Sequence, residues 1–341
     1  MAEHPYAALP PKAFWKTAVA TRHYADLEDL SGPVRLAPSD RVATAGSCFA
    51  QHIGNNLAAR GARYMDAEPA PEGWSHEEAR RHGFGIFSAR YGNIYTSRQL
   101  LQLAEEALGR RVPAIRVWEK GGRFFDALRP SVDPAGHASE AAVLRLRARH
   151  LAAVRRLLAE LDVLVFTLGL TETWEASGDG TAYPVAPGTL AGTFDPARYR
   201  FRNLRYPEIH ADMTAFRALL REINPAARMI LTVSPVPLTA TASGGHVLVA
   251  SSYSKSTLRA VAGDLAEDHE DVAYFPSYEI IASHPGRAMF FNPDLRSVNL
   301  AGVDYVMRHF FRAAAGFGPA AETEADEPIC DEEKLERYAA G

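Results

Sequence analysis

Apolar runs and amphipathic stretches alternate along most of this chain. Residues 162–168, DVLVFTL, place six apolar or β-branched residues after one aspartate, which is typical of a strand buried on both faces of a parallel sheet. Similar runs occupy 42–45, 229–233 and 272–275, and amphipathic periodicity predicts helices from Ser97, over 139–160, from Asp212 to Ile223, and over 254–269 and 299–314. The pattern predicts an α/β fold, a three-layer α/β/α domain with a mostly parallel central sheet.

Two stretches interrupt this alternation. Residues 111–135 predict a hairpin with a turn at Lys120-Gly121-Gly122, and residues 175–210 contain several prolines and a run of arginines. We expect both insertions to form a small cap on a domain of residues 41–315. Residues 1–40 are expected to be an N-terminal extension that packs on this domain.

Composition and charge narrow the class of protein. Of 341 residues, 47% are hydrophobic and 23% charged, as in ordinary globular proteins, and a net charge of −4 gives no reason to expect nucleic-acid binding. Residues 319–341 carry eight acidic and two basic residues, which predicts a solvated, disordered tail.

Residues 1–20 show no signal peptide, and no apolar run is long enough to cross a membrane, so we expect a cytoplasmic protein of undetermined oligomeric state. Two distant cysteines do not make a disulfide framework, and no Cys/His spacing predicts a metal site.

The sharpest local feature is Gly46-Ser47-Cys48-Phe49-Ala50, at a predicted strand-to-helix turn. A side chain there lies at the edge of the sheet, where the helix N-terminus stabilises a thiolate and its amides can bind an oxyanion. Cys48 is therefore a candidate nucleophile. A free cysteine is also a common small residue in a hydrophobic core, and that alternative stays open.

This five-residue motif resembles the signature of the GSCFA-domain family of the SGNH/GDSL hydrolase-like superfamily. Further similar pieces are His4-Pro5-Tyr6, Tyr91-Gly92-Asn93, Thr167 to Trp174, Val233-Ser234-Pro235-Val236, Tyr253-Ser254-Lys255 and Phe275 to Glu279. The similarity covers roughly residues 5–315. It implies an SGNH-like α/β/α fold and acyl-ester or thioester chemistry, either as an esterase or as an O-acyltransferase.

The resemblance also implies roles for single residues. Cys48 takes the place of the nucleophile, with Ser47 as the fallback, and Gly92, beside Asn93, takes the place of an oxyanion-binding glycine. In the third block Gly169 matches the superfamily pattern, but Thr171 stands where that pattern has asparagine.

The fourth block departs most from the superfamily. Asp294 matches the aspartate, but Ser297 stands where the catalytic histidine is expected, and a serine is no base near pH 7. His284 and Glu172 are then the candidates for proton transfer, with His52, His246 and Glu279 as further candidates. Alternatively, a thiolate at a helix terminus needs less help, or the protein binds a ligand without turning it over.

The remaining candidates concern substrate binding. Ser234 and Lys255 lie in the family-like pieces, and Lys255 suits an anionic group. Arg202 belongs to an arginine-rich extended segment that suits a phosphate, such as that of an acyl-CoA donor, or alternatively a solvated surface. The expected partner is a small-molecule or glycan ester, and no cofactor is expected. The alternatives are a ligand-binding protein without catalysis and a serine esterase that uses Ser47.

Overall fold

The computed structural model describes residues 4–314, 316–320 and 328–339. In chain order the strands are β1 (Arg41–Gly46), β2 (Arg63–Tyr64), β3 (Val117–Lys120), β4 (Arg123–Asp126), β5 (Val163–Leu168), β6 (Glu172–Ala176), β7 (Ala182–Tyr183), β8 (Tyr199–Asn203), β9 (Arg228–Val233) and β10 (Val272–Phe275). Five of them form the central sheet in the order β10-β9-β5-β1-β2, and all neighbours in it are parallel. The predicted parallel sheet is confirmed.

Helices cover both faces of this sheet. They are α1 (Phe49–Ala59), α2 (His76–Arg81), α3 (Ser97–Ala107), α4 (Glu140–Glu160), α5 (Tyr206–Ile223), α6 (Val247–Asp268), α7 (Ser277–Ala282) and α8 (Leu300–Ala313). Side chains of β5 alternate between two hydrophobic cores: Leu164 and Phe166 pack with residues of α3 to α6, whereas Val163 and Val165 pack with residues of α1, α7 and α8. This alternation follows from the two-residue period of a strand, and it produces the predicted three layers.

The order of the strands identifies where a ligand would bind. The chain moves from β1 outward to β2 and then returns to place β5 on the other side of β1. The connections after β1 and β5 therefore leave the sheet in opposite directions. Open α/β sheets bind ligands at the carboxyl ends of the strands beside such a switch point. Cys48 follows β1, and Gly169 follows β5.

Two small sheets lie outside the central one. Strands β3 and β4 form an antiparallel hairpin whose turn, Gly121-Gly122, has positive φ angles at both residues, as predicted for the segment 111–135. Strands β7, β6 and β8 form a three-stranded antiparallel sheet. It contains the predicted extended segment of arginines but begins at Glu172, directly after the third block.

Some helix boundaries differ from the sequence prediction. Helix α5 begins at Tyr206 rather than Asp212, because Asp212 is not a cap: its carboxylate accepts hydrogen bonds from Arg98 Nε and Ser97 Oγ. Helix α6 begins at Val247, where the side chain of His246 caps its first turn. In the described part of the chain, no helix combines the length and the apolar character needed to cross a bilayer.

The N-terminal extension contacts the face of the domain that carries α7 and α8. Tyr24, Leu27, Val34 and Leu36 are buried in the same core as Phe275 and Phe310. The Tyr24 hydroxyl also donates to the carbonyl oxygen of Glu279 at 2.8 Å.

Candidate active site

The turn after β1 places Cys48 at the edge of the sheet. Strand β1 ends at Gly46, α1 begins at Phe49, and Cys48 is the N-cap residue between them. Gly46 has φ +137°, and a Cβ there would lie 2.4 Å from the carbonyl oxygen of Thr167 on β5. Only glycine allows the two strands this approach. The turn thus sets Cys48 at the N-terminus of α1, where the amides of Ala50 and Gln51 donate to the carbonyl oxygens of Ser47 and Cys48 at 2.9 and 3.1 Å.

Cys48 is buried beside a second cysteine. Its thiol is hydrogen-bonded to Cys330, and both cysteines are free rather than joined in a disulfide. This bond, together with burial, raises the pKa of Cys48. The same bond lowers the pKa of Cys330 to about 6, and the charge of Arg296 acts in the same direction. The Arg296 guanidinium lies 3.8 Å from Cys330 Sγ.

Lys255 is the second cation of the site. It projects from α6, is only 3% exposed, and donates from Nζ to the carbonyl oxygen of Gly169 at 2.7 Å. Burial lowers the pKa of Lys255 to about 8, while the nearby Glu332 and Cys48 oppose that shift. An ammonium so close to a thiol favours the thiolate. A lysine titrating near pH 8 can also exchange a proton with its neighbours.

Four polar atoms lack a hydrogen-bond partner around the turn of Gly46, Ser47 and Cys48. They are Ser47 Oγ, Thr167 Oγ1, Thr171 Oγ1 and Asn93 Oδ1, each buried and without a hydrogen-bond partner among the described residues. Close contacts hold Ser47 against the end of β5. The amide of Ser47 donates to Thr167 O at 3.2 Å, and a Cβ on Gly169 would lie 3.0 Å from Ser47 Cβ. Unpaired buried hydroxyls cost free energy, so their presence at the ends of β1 and β5 indicates a place for a bound polar group.

The C-terminal segment covers this edge of the sheet. Residues Pro328 to Tyr338, termed here the covering segment, include a 3₁₀ helix over Asp331–Tyr338, and Cys330, Asp331 and Glu332 are buried. Ile329 exchanges two hydrogen bonds with the side chain of Gln51. The sequence predicted a solvated tail over 319–341. Over 328–339 the structure differs, because three buried residues anchor the segment; residues 321–327 and 340–341 lie outside the described residues.

Glu332 of the covering segment lies between the two cations. Its Oε2 is 3.7 Å from Arg296 Nη2, and its charge acts on Lys255. Burial nevertheless raises the pKa of Glu332 to about 8. A carboxyl group is therefore held near neutrality next to Arg296 and Lys255.

Glu172 borders a cavity next to Glu332. The cavity has a volume of about 160 Å³ and is lined by residues of β6, by the loop around Thr241 and by Glu332. Burial raises the pKa of Glu172, although the Thr241 hydroxyl, which donates to Oε1 at 2.6 Å, opposes that shift. Glu172 is thus a half-buried carboxyl group in the wall of this cavity.

The predicted histidine bases lie elsewhere in the described residues. The ring of His284 stacks on Trp15 with centroids 5.5 Å apart, and Nδ1 of His246 caps α6. His52 packs edge-on against Phe49, and burial lowers its pKa to about 4. Within the described residues, no hydrogen bond joins any of these three histidines to Cys48. Glu279, the last candidate, is ion-paired with Arg259 and accepts from the Tyr274 hydroxyl.

Three other predicted residues make local structural contacts or occupy a turn: Asp294, Ser234 and Gly92. Asp294 accepts from the Ser297 hydroxyl at 2.7 Å and from the amide of Arg296 at 2.9 Å, so it orders the loop that carries Arg296. Ser234 is buried, and its amide donates to Leu168 O. Gly92 has φ +68° directly before Asn93.

Arg202 does not face an open phosphate site. It is ion-paired with Glu208, and the neighbouring Arg200 is paired with Glu175. These carboxylates balance the charges of two of the arginines in the segment.

Several site residues were missed from the sequence. Arg296 lies inside the fourth block, Gln51 follows Cys48 by one helical turn, and Tyr95 follows the second block. Cys330 was noted only as a distant second cysteine. Its pairing with Cys48 is long-range, and nothing in its local sequence predicts it. Among the described residues, no group of three His, Cys, Asp or Glu side chains forms a metal site.

Comparisons with known proteins place the chain in a family. A search of curated proteins finds no match. Among solved structures, an acetyl xylan esterase from the rumen bacterium Butyrivibrio proteoclasticus aligns with 14% identity and a TM-score of 0.24, over 72% of this chain and 56% of the esterase chain. The sequence profile of the GSCFA family matches residues 41–310, which include the turn of Gly46, Ser47 and Cys48 and all five strands of the central sheet. The chain therefore belongs to the GSCFA family.

Proposed function

We propose that this protein carries out acyl-ester or thioester chemistry with Cys48 as the nucleophile, as an SGNH-like esterase or O-acyltransferase. The observation that carries the proposal is the placement of one thiol at a helix N-terminus and a sheet switch point, with Lys255 and Arg296 beside it. A helix N-terminus and two cations favour the thiolate, which is the reactive form. The pairing of Cys48 with Cys330 withholds that thiolate while the covering segment is in place.

The reaction would proceed in two steps. The Cys48 thiolate attacks the carbonyl carbon of the bound ester, and the negative charge moves to the carbonyl oxygen. The amides of Cys48 and Gly92 support that oxyanion, together with the unpaired Thr171 hydroxyl. Collapse of the intermediate expels the alcohol or thiol and leaves an acyl group on Cys48.

Proton transfer falls to Lys255 and Glu172 rather than to a histidine. Lys255, with a pKa of about 8, can take a proton from the Cys48 thiol and return it to the leaving group. Glu172, whose pKa burial raises, lies at the wall where a second substrate would enter and can deprotonate water or a hydroxyl acceptor. Asp294 and Ser297 take no proton in this scheme; they hold the loop of Arg296.

The acyl acceptor decides between hydrolysis and transfer. Water would complete an esterase cycle, whereas a hydroxyl of a glycan or another polyhydroxylated molecule would complete an acyltransferase cycle. A small-molecule or glycan ester is the proposed substrate, in a cytoplasmic setting and without nucleic acid or a cofactor. Acyl-CoA is a candidate donor, although Arg202 is paired with Glu208 and offers no support for that role.

Specific observations favour two alternatives. The first is a binding protein without turnover. It is favoured because the Cys48 thiol is covered and its pKa is raised, and because Ser297, at the place of the catalytic histidine, donates to Asp294. The unpaired Ser47 Oγ favours a serine esterase.

Detection of an acyl adduct tests the proposal. The full chain is incubated with p-nitrophenyl acetate, and the modified residue is identified by intact mass and peptide mapping. We expect an acetyl group on Cys48, its loss in Cys48→Ala, and its retention in the matched control Ser47→Ala. Adduct formation on Ser47, or hydrolysis that persists in Cys48→Ala, would establish the serine alternative. Absence of both adduct and hydrolysis would favour the binding protein.

A further inference from the structure

The covering segment is held through its side chains and also through its backbone. Gln51 Nε2 donates to the carbonyl oxygen of Ile329 at 2.8 Å, and Gln51 Oε1 accepts from the Ile329 amide at 2.9 Å. Asn93 Nδ2 donates to the same carbonyl oxygen at 3.1 Å, and the Asp331 amide donates to Tyr95 Oη at 3.1 Å. Four hydrogen bonds therefore recognise amide groups, and Asn93 Nδ2 also donates to the side chain of Asp331, at 3.1 Å from Oδ2.

The three side chains that make these bonds belong to the body of the domain. Gln51, Asn93 and Tyr95 are 2%, 4% and 2% exposed. These exposures hold with the covering segment in place. Buried amide and hydroxyl groups without partners cost free energy, so a molecule that replaces the covering segment and excludes water there must offer similar groups. The site is thus built for an extended chain with amide bonds.

The position of Cys330 adds a second requirement. Its sulfur is hydrogen-bonded to Cys48 and lies 3.8 Å from both Tyr95 Oη and Arg296 Nη2. A guanidinium and a phenol hydroxyl at this distance suit a sulfur anion. This is also the place where the departing sulfur of a thioester would lie during attack by Cys48.

We propose that the pocket beneath the covering segment binds amide-bearing thiols and their thioesters, and that Ile329 and Cys330 occupy it as a built-in mimic of that ligand. The pantetheine arm of an acyl carrier and a cysteinyl peptide share this chemistry. The inference rests on the proposed function for its catalytic consequence, while the binding site itself rests on the hydrogen bonds.

The corresponding step is a transfer between two sulfurs. The Cys48 thiolate attacks the thioester carbonyl, a bond forms between that carbon and Cys48 Sγ, and the bond to the donor sulfur breaks. The donor departs as a thiolate beside Arg296 and Tyr95 and accepts the proton that Cys48 lost, carried by Lys255. No oxidant or reductant is required, because the oxidation state of both sulfurs is unchanged.

The test first displaces the covering segment in the full chain. Ile329→Pro removes the amide that Gln51 Oε1 accepts from, whereas the matched control Ile329→Ala keeps it. We expect iodoacetamide to label Cys48 at least about fivefold faster in Ile329→Pro than in Ile329→Ala, as loss of one anchoring hydrogen bond implies. Circular dichroism confirms that both variants are folded.

Binding is then measured by calorimetry with two probes that cannot react. One is S-methylpantetheine, and the other is an acetylated peptide of residues 328–335 with an S-methylated cysteine. We expect at least one probe to bind Ile329→Pro more tightly than Ile329→Ala, and the stronger probe identifies the source of the ligand. Adding Gln51→Leu to Ile329→Pro should weaken that binding about tenfold, because the bidentate amide contact is lost.

Three outcomes would overturn the proposal: an unchanged labelling rate in Ile329→Pro, accelerated labelling without binding of either probe, or binding that Gln51→Leu leaves intact. Since the probes are thioethers, their binding does not depend on acyl chemistry. Binding without any acetyl adduct on Cys48 would keep the site and reject the proposed function.

Discussion

Replacement of Gly46 by alanine tests why the family motif begins with glycine. Gly46 has φ +137°, a backbone conformation that costs an L-residue about 1–3 kcal/mol. A Cβ would also lie 2.4 Å from Thr167 O, 2.7 Å from Thr167 N and 2.9 Å from Thr167 Cα. All three are backbone atoms of β5, so the strands must separate, and overpacking of this kind costs about 1–3 kcal/mol more. We expect Gly46→Ala to lower the free energy of unfolding by about 2–6 kcal/mol.

A matched control isolates the clash from the backbone term. Gly61 has φ +73°, but a Cβ there meets no atom within 4 Å, so Gly61→Ala should cost only about 1–2 kcal/mol. Urea unfolding followed by circular dichroism measures both variants, with the slope checked for equality with that of the unmodified protein. If Gly46→Ala loses no more stability than Gly61→Ala, the contact between β1 and β5 does not require glycine and the reasoning fails.

Three further predictions concern charged and titratable side chains. Burial lowers the pKa of Lys255 from 10.5 to about 8, so the unfolded chain binds more protons between these values and stability rises with pH there. Lys255→Met should remove up to about 1.4 kcal/mol of that rise per pH unit, and equal pH slopes in the two proteins would contradict the burial of the ammonium. His284→Ala should leave the rate at which iodoacetamide labels Cys48 unchanged within about twofold. The reason is that the stack of His284 on exposed Trp15 is worth about 1 kcal/mol and does not involve the thiol. A large change in the labelling rate would restore His284 as a candidate base. Arg202→Ala should change stability by less than about 1 kcal/mol, because its pair with Glu208 is partly exposed, and a larger loss in thermal unfolding would show a role beyond that pair.

The architecture could be predicted because its signals are local. A run such as DVLVFTL is apolar on both faces over consecutive residues, and β5 occupies Val163–Leu168 as expected. The helix over residues 140–160 likewise follows from its own periodicity and its Ser139 cap. The predicted start of α5 was wrong because a polar residue can serve two purposes. Asp212 suits a helix cap in sequence, but in the fold its carboxylate accepts a hydrogen bond from Arg98.

The site could be predicted only where one strand end defines it. Cys48 follows β1 directly, so its place at the sheet edge is a local consequence of the turn. Arg296 and Cys330 reach the same edge from residues far away in the chain, through a loop ordered by Asp294 and through the covering segment. Such contacts depend on tertiary packing, which a single sequence does not encode in any short pattern.

The covering segment joins parts of the chain that are otherwise separate. Gln51 lies on α1, Asn93 and Tyr95 precede α3, and Arg296 precedes α8, so one short peptide contacts a helix and two separate loops. Its departure would free all of them together, and amide hydrogen exchange in these loops would accelerate in concert rather than one at a time. Access to Cys48 thereby depends on the local rigidity of all the segments that the covering segment contacts.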